Sequence, residues 1–555
     1  MSENILVAVA WPYANGSLHL GHVAGAYLPA DIFARFHRLK GNKVLMVSGS
    51  DQHGAPITLR AEQEHKTPQE VAANYHREFL DCWHKLGISF DLFTSTGTEN
   101  HTRVVHDIFL KLLENNYLYK ETMPQAYCPE CQRFLPDRYV EGTCPFCKSP
   151  NARGDQCDEC GKTLNPTELV ALRCRICSAT PRFVDTEHFF LRLSAFEEKL
   201  KSWVKQQSHW RQNVLNFTMG ILESGLKDRA ITRDLQWGVT VPQPGFEQKR
   251  IYVWFEAVIG YLSASKEWAS LQGNPEAWKS FWNQEAKSYY FIGKDNIPFH
   301  TLIWPAMLMG YGGLALPTDV PANEFLTIEG KKLSTSRNWA IWLPDYLESY
   351  DPDPLRYILS INMPETGDTD FSWREFVRRN NDELVATYGN LANRVLSFSN
   401  HNFNGTIPSP GELDAGTNEL ISKTEETFNT VDRFISQCRF KDGIKAAMTL
   451  AQEANRYLDN EAPWKVIKQD KGKAAMAVYG AIVALSGLKT ILYPYLPFSS
   501  QNLHSFLGFE GNCGAAGWKL QLPEVGARLP EPRPLFSKLD DDIIETEMAR
   551  LGNLR

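Results

Sequence analysis

The sequence predicts an α/β fold, a doubly wound parallel sheet split by a small cysteine-rich insertion and followed by an α-helical bundle. Three observations lead there. Residues 4–48 read strand, turn, helix, strand, the pattern of a βαβ unit in a parallel sheet. Eight of the 11 cysteines fall in four Cys-x-x-Cys pairs between residues 128 and 177, where apolar periodicity is lost. From residue 376 onward the apolar residues recur at helical spacing.

Taken in order, residues 4–10 are a short apolar run, a buried strand, and 11–16 are a Pro/Asn/Gly turn. Residues 18–40 form a helix with Ala24, Leu28, Ile32, Phe36 and Leu39 at helical spacing, which Pro29 is expected to kink. Gly41-Asn42 closes it and 43–48 is the next strand. Ligands on such sheets sit beyond the carboxyl ends of the strands, which singles out residues 12–22 and 49–54. Strand-like runs return at 250–253 and 288–293. The α/β domain is therefore expected to comprise residues 1–118 and 230–325, interrupted by the insertion at 119–229. A loop-rich connector follows at 326–375, then the bundle at 376–530 and a tail at 531–555. In the bundle, one face carries Val377, Leu384, Tyr388, Leu391 and Val395, another Leu420, Phe428, Val431 and Ile435, and a third Ile444, Ala447, Met448, Ala451 and Leu458.

Length and composition narrow the classes. With 555 residues, roughly three or four domains are expected. A hydrophobic share of 43% is ordinary for a globular protein and excludes disorder. The net charge of −7 excludes a strongly basic duplex binder, so a nucleic-acid partner would meet a local surface. Residues 297–318 carry no charge, but three prolines, three glycines and His300 make a poor membrane span. Residues 474–488 are too short and read as a buried helix. The first residues lack a basic n-region, so no signal peptide, no membrane association and a cytoplasmic location are expected.

The cysteine pairs point to zinc, because eight thiolates make two closed tetrahedral sites with no open position for substrate. Spacing alone allows sequential or nested pairing of Cys128/Cys131, Cys144/Cys147, Cys157/Cys160 and Cys174/Cys177.

Two further segments carry chemistry. Residues 12–22 read Pro-Tyr-Ala-Asn-Gly-Ser-Leu-His-Leu-Gly-His. A helix N-terminus favours anions, His19 and His22 add donors, and Gly21 leaves room for a flat ring, a combination suited to a nucleoside triphosphate. Residues 330–337 read Gly-Lys-Lys-Leu-Ser-Thr-Ser-Arg, where two lysines and three hydroxyls suit the charge of a departing pyrophosphate. Read alone, these are also a pair of surface histidines and a solvated basic loop.

Together, in this order and 310 residues apart, the two segments resemble the two signatures of the class I aminoacyl-tRNA synthetases, and those of the methionyl-tRNA synthetases most closely. The resemblance extends over residues 10–22, Ser50-Asp51-Gln52-His53-Gly54, the four cysteine pairs, 252–261, 291–300, the second signature, Asp370-Phe371-Ser372-Trp373, 390–394 and Ala462-Pro463-Trp464.

That resemblance implies a Rossmann-like catalytic domain, activation of L-methionine by ATP with Mg²⁺, and transfer of the methionyl group to the 3′ end of methionine tRNA. It implies that Pro12, His19, Gly21, His22, Lys331, Lys332, Ser334, Thr335 and Ser336 bind ATP. Of these His19, His22 and Lys332 act on the phosphates, and Asp51 holds the substrate amine. Ala10, Tyr13, Asp51, Arg233, Trp254, Tyr261, Asp295 and His300 would surround methionine, whose thioether suits an aromatic wall. Trp254 and Tyr261 share a face if a helix starts just after Val253. Similar enzymes pair the inner cysteines on one zinc (Cys144, Cys147, Cys157, Cys160), leaving Cys128, Cys131, Cys174 and Cys177 for the second. Asn390, Arg394 and Trp464 match anticodon-contacting positions, and an amide, a guanidinium and an indole suit that work.

One departure is Thr335, where the family usually has a second lysine. Lys332, helped by Lys331 or Arg337, is then expected to carry the charge stabilisation. The rivals are a synthetase for isoleucine, valine or leucine, for whose editing insertion there is little room; a cysteine synthetase, which would need an open zinc; and a zinc-ribbon RNA-binding module without catalysis. No appended RNA-binding domain is visible, so a monomer is expected, and a helix near 543–551 is expected to pack back on the catalytic domain.

Overall fold

The structure, a computed structural model, describes residues 2–136, 139–154, 157, 159–160, 162 and 164–553. Five strands, Asn4–Val9, Lys43–Ser50, Leu92–Ser95, Lys287–Gly293 and Ala322–Asn323, form one sheet with every neighbour parallel. Numbered along the chain, their spatial order is 5-4-1-2-3. The order reverses between the first and fourth strands, and the crevice outside their carboxyl ends is the switch point where such sheets bind ligands. Ile5, Val7 and Val9 pack into one core and Leu6 and Ala8 into another, so the sheet is buried on both faces. This is why residues 4–9 read as a continuous apolar run rather than an alternating one.

Between the third and fourth strands the chain leaves along Leu118–Cys128 and returns along Arg182–Leu191, an antiparallel arm paired from Leu118↔Leu191 to Tyr127↔Arg182. The cysteine-rich unit sits at the far end of this arm. The helical run through Trp373–Arg379, Asn380–Gly389 and Asn390–Asn402 and the long helices Ala415–Ser436, Phe440–Glu461 and Lys471–Leu492 form the bundle. Every residue assigned to its three apolar faces is buried.

Four expectations are corrected. The helix expected over 18–40 spans 20–39, and its irregularity is a π-turn at Val23–Tyr27 ahead of Pro29 rather than a kink at the proline. The widened turn absorbs the hydrogen bond that a residue without N–H cannot make. The strand expected at 250–253 is only Arg250–Ile251, because Val253 already begins a 19-residue helix, Val253–Leu271. The connector is not loop-rich: it holds helices Leu343–Ser349 and Pro352–Ile361 and a three-stranded sheet. The apolar helix read at 474–488 extends over Lys471–Leu492, long enough by composition to cross a membrane, yet 94% of its apolar window is buried inside the protein. A fifth is corrected as well: the tail helix Asp542–Arg550 packs not on the catalytic domain but on the connector, where Tyr350 donates to Glu547 Oε1 at 2.8 Å.

Candidate active site

His19 caps the helix that starts at Leu20, and its backbone N–H donates to His22 Nδ1 at 3.2 Å. That contact fixes the His22 tautomer: Nδ1 accepts, so in the neutral ring Nε2 carries the proton and is a donor. The two rings stack at 3.8 Å. Burial lowers the His22 pKa to about 4, and burial together with the His22 ring lowers that of His19, so both are neutral donors at neutral pH.

The second signature lies in a hairpin, Leu326–Ile328 against Lys331–Lys332. Its two turn residues, Glu329 and Gly330, have φ of 50° and 71°, the conformation of a type I′ turn. Asp370 Oδ1 accepts from Gly330 N at 2.8 Å and Trp373 N donates to Glu329 Oε1 at 2.8 Å, so the Asp-Phe-Ser-Trp segment holds the turn. Adjacent strand residues point to opposite faces. Lys331 lies 4.2 Å over the Trp339 ring, while Lys332 turns toward Phe325 and Asp295. Lys331 therefore does not share the face of Lys332. Thr335 and Arg337 are exposed, Ser334 bridges to Trp339, and the side chain of Ser336 lies outside the described residues.

The two signatures meet. A methyl group added at Gly21 would lie 2.7 Å from Leu333 Cδ1, and Leu20 N donates to Ile341 O at 3.1 Å.

Asp51 follows the second strand. Its backbone pairs with Pro12 and Ala14, bringing residues 12–14 and 51 side by side. The carboxyl is 3% exposed; burial and the nearby Glu256 carboxylate push its pKa well up, only partly offset by the hydrogen bond from His53 N. A buried carboxyl in that condition is a seat for a cation.

Aromatic rings surround the space beside it. Tyr13 meets Trp254 edge-on at 5.9 Å, and Trp254 stacks on Phe299 at 4.4 Å. His300 Nδ1 donates to Asn296 O at 2.9 Å, so in the neutral ring, whose pKa burial lowers to about 4, Nε2 accepts from the Tyr261 hydroxyl at 2.7 Å. Ala10 contributes backbone: its N–H bonds Phe291 O and its carbonyl accepts from Tyr27 and Ser48. Arg233 stacks 3.9 Å over Tyr252 at the N-terminus of the helix carrying Trp254. Asp295 follows the fourth strand, with its pKa raised by burial against the opposing pull of Lys294 and Lys332.

Sequence reasoning missed three features. Trp11 lies against Tyr261 and His101, in a slot left by Gly260, where a methyl would come within 2.7 Å of the indole; its Nε1 is buried with no hydrogen-bond partner among the described residues. Phe299 extends the wall. Glu256 is fully buried and bonds His53 Nδ1 at 2.7 Å and His101 Nε2 at 2.8 Å, fixing the turn that carries Asp51. The only sequence signal for these was position, beside Tyr13, Trp254 and His300.

The eight cysteines form two tetrads, Cys128/Cys131/Cys174/Cys177 and Cys144/Cys147/Cys157/Cys160, each with its sulfurs within 4.8 Å of one another. This is the nested pairing. Sulfur separations of 3.4 and 3.9 Å in the first and 3.9 and 3.5 Å in the second rule out disulfides and bracket the roughly 3.8 Å edge of a tetrahedral zinc–thiolate site. Gln132, Lys148 and Ser178, each directly after the second cysteine of its pair, adopt positive φ, closing the turn that points both sulfurs inward.

In the bundle, Arg394 stacks 4.8 Å from the Trp464 ring and bonds Asn455 and Asp459; Trp464 is 42% exposed, and Asn390 lies one turn before Arg394, also exposed.

Comparison with known proteins bears on these sites. The family model described as tRNA synthetases class I (M) matches residues 5–396, and that of the anticodon binding domain of methionyl tRNA ligase matches 407–555. Methionine–tRNA ligase of Dehalococcoides mccartyi is 62% identical over 552 residues, covering 100% of both chains. That of Roseiflexus castenholzii is 53% identical over 587 aligned positions, covering 99% of each. Among solved structures, methionyl-tRNA synthetase of Mycobacterium tuberculosis in complex with methionyl-adenylate has the same fold, with a TM-score of 0.80 at 24% identity over 97% of this chain and 100% of that one.

Proposed function

The chain belongs to the class I methionyl-tRNA synthetases, and from that premise we infer that it is a methionine–tRNA ligase, activating L-methionine with ATP and passing the methionyl group to the 3′ end of methionine tRNA. The observation that carries the site assignment is the meeting of Gly21 with Leu333, which brings the two signature segments together at the switch point of the sheet.

The residues divide the work by their chemistry. The Asp51 carboxylate receives the α-ammonium of methionine. Tyr13, Trp254, Phe299 and Trp11 wall the thioether, and the Tyr261–His300 pair closes its end. Arg233 and Asp295 flank the polar end of the substrate. Pro12 and the backbone of Gly21, over which Leu333 of the second signature packs, border the nucleotide. The His22 Nε2–H and His19 donate to phosphate oxygens as neutral groups. Lys332 supplies the positive charge where pyrophosphate departs, and the hydroxyls of Ser334 and Thr335 add donors. The methionine carboxylate attacks the α-phosphorus, the bond to the β-phosphate oxygen breaks, and pyrophosphate leaves. The protein forms no covalent bond, so positioning and charge stabilisation carry the rate.

Mg²⁺ enters with ATP as part of the substrate. Among the described residues, the two cysteine tetrads are the only metal-ligating clusters of three or more side chains. Four thiolates per site fit zinc, which would lock the tip of the insertion without taking part in the reaction. Asn390, Arg394 and Trp464 read the anticodon. Action as a cytoplasmic monomer belongs to the same proposal. Charging of a methionine tRNA transcript tests it: the cognate transcript is charged, and one with a changed anticodon is charged at least a hundredfold more slowly. Equal charging of both would overturn the anticodon assignment.

A further inference from the structure

The loop of the second signature ends at Asn338, a residue tied to the tail of the chain. Asn338 has φ of 50°, the left-handed conformation, and closes the short turn Thr335–Arg337. All its polar groups are engaged. Its N–H donates to Thr335 O at 3.2 Å and its carbonyl accepts from Gly552 N at 3.1 Å. Its Nδ2 donates to Asn553 O, 215 residues away in sequence, and its Oδ1 accepts from Trp342 Nε1 at 2.8 Å. The tail that makes these bonds is itself anchored. Asn381 holds the N–H and carbonyl of Leu539 at 2.9 and 2.8 Å, and Ile543, Ile544 and Leu551 pack against the main core. Asn553 Nδ2 donates to Ala549 O, folding residues 551–553 back on the helix Asp542–Arg550. Gly552 lies beside Trp339, where an added methyl would sit 3.5 Å from the indole.

What Asn338 holds lies against the first signature. The Trp342 ring meets that of His19 at 6.1 Å and 61°, and the two backbones bridge, with Leu343 N donating to Leu18 O at 2.8 Å. His19 Nδ1 is buried with no hydrogen-bond partner among the described residues. The direction of its ring is therefore set by packing, between the stacked His22 ring at 3.8 Å and the indole of Trp342. An indole whose N–H is held by an amide oxygen keeps one orientation, and the ring packed against it does the same. On the other side, Ser334 N donates to Trp339 O at 3.1 Å and Trp339 N to Ser334 O at 2.9 Å, so residues 334–339 form a closed loop with Asn338 inside it. One side chain thus joins the loop of the second signature, the indole beside the first and the tail.

We propose that Asn338 is a positioning residue for the activation step: clamped by Gly552 and Asn553, it holds the Trp342 indole against His19 and fixes the loop of the second signature, so that the tail helps to align ATP. The proposal rests on the reading of this site as the centre that activates methionine with ATP. It is tested without tRNA, by ATP–pyrophosphate exchange and by methionine binding, on the full chain, on Asn338→Gly, on a chain lacking residues 552–555 and on the two changes combined. Glycine adopts positive φ freely, so Asn338→Gly removes the side chain without straining the turn. Each single change is expected to lower kcat/KM for ATP about fivefold to tenfold and to leave the Kd for methionine and the Tm unchanged, because Asp51 and the aromatic wall are untouched. The combined variant is expected to match the more impaired single one, because both changes break one connection. Unchanged kcat/KM for ATP in Asn338→Gly, or losses that multiply in the combined variant, would overturn the proposal. So would a parallel fall in methionine affinity and Tm, the mark of a merely structural role. No exchange with methionine by the unmodified chain would instead overturn the functional reading.

Discussion

His19 and His22 are neutral imidazoles, each with a single N–H to donate. Burial lowers both, His22 to about 4, and the bond from His19 N to His22 Nδ1 leaves the His22 Nε2 proton for a ligand. Asp51 shows the opposite shift: burial first, then Glu256, makes its charged form costly in the empty protein. A carboxyl raised in the folded state loses stability as pH climbs above its ordinary value, because the unfolded chain gives up the proton first. Asp51→Asn is therefore expected to raise the melting temperature at neutral pH by about 1–3 °C while weakening methionine binding at least tenfold. Calorimetry and equilibrium binding read the two effects separately, and a loss of both would mean that Asp51 is an ordinary structural residue. Lys332 is tested more simply. Lys331 is turned away onto Trp339 and position 335 is a threonine, so Lys332→Ala should slow pyrophosphate exchange by about a hundredfold or more. A decrease no greater than that of a remote surface lysine would remove it from the mechanism.

At the scale of elements, the site depends on irregular backbone. The π-turn at Val23–Tyr27, the type I′ turn at Glu329-Gly330 and the positive-φ residues after the cysteine pairs each direct functional side chains. None of these is a periodic signal, which is why the π-turn and the structured connector were not legible in the sequence, while the strand read at 250–253 was placed but two residues too long. Glu256 escaped for a related reason: a carboxylate in an apolar helix looks like surface until the fold brings His53 and His101 to it from elements about 150 to 200 residues away. The parallel strands, the bundle faces and both signature segments were legible, because burial on both faces leaves continuous apolar runs and one buried stripe leaves helical periodicity. The cysteine grouping was legible only through family resemblance, since spacing permits other pairings. Metal analysis of the purified protein is expected to find two zinc ions per chain, and Cys147→Ser one, with pyrophosphate exchange largely kept because a site closed by four thiolates offers no position to substrate. Loss of both zincs in that variant would show that the tetrads fold as one unit.

The whole molecule is locked by a buried ion cluster. Arg356 of the connector, fully buried, bonds Asp31 of the catalytic domain at 2.7 Å and the backbone carbonyls of Pro494 and Tyr495 behind the bundle. Burial alone would raise Asp31, but Arg35, Arg356 and the Ser89 hydrogen bonds overcome it and hold the carboxyl at about 2. A depressed carboxyl contributes stability above its ordinary pKa that is lost as pH falls toward the folded value. Catalytic domain, connector and bundle thus share one core, consistent with a chain in which RNA bound on the bundle must meet an amino acid activated at the sheet. The central claim, that the aromatic pocket and the two signatures activate methionine, is tested most directly by ATP–pyrophosphate exchange with each of the 20 amino acids in the absence of tRNA. Exchange with methionine alone is the predicted result. Exchange with a different amino acid would contradict the pocket, and no exchange from zinc-loaded protein would contradict the activating chemistry itself.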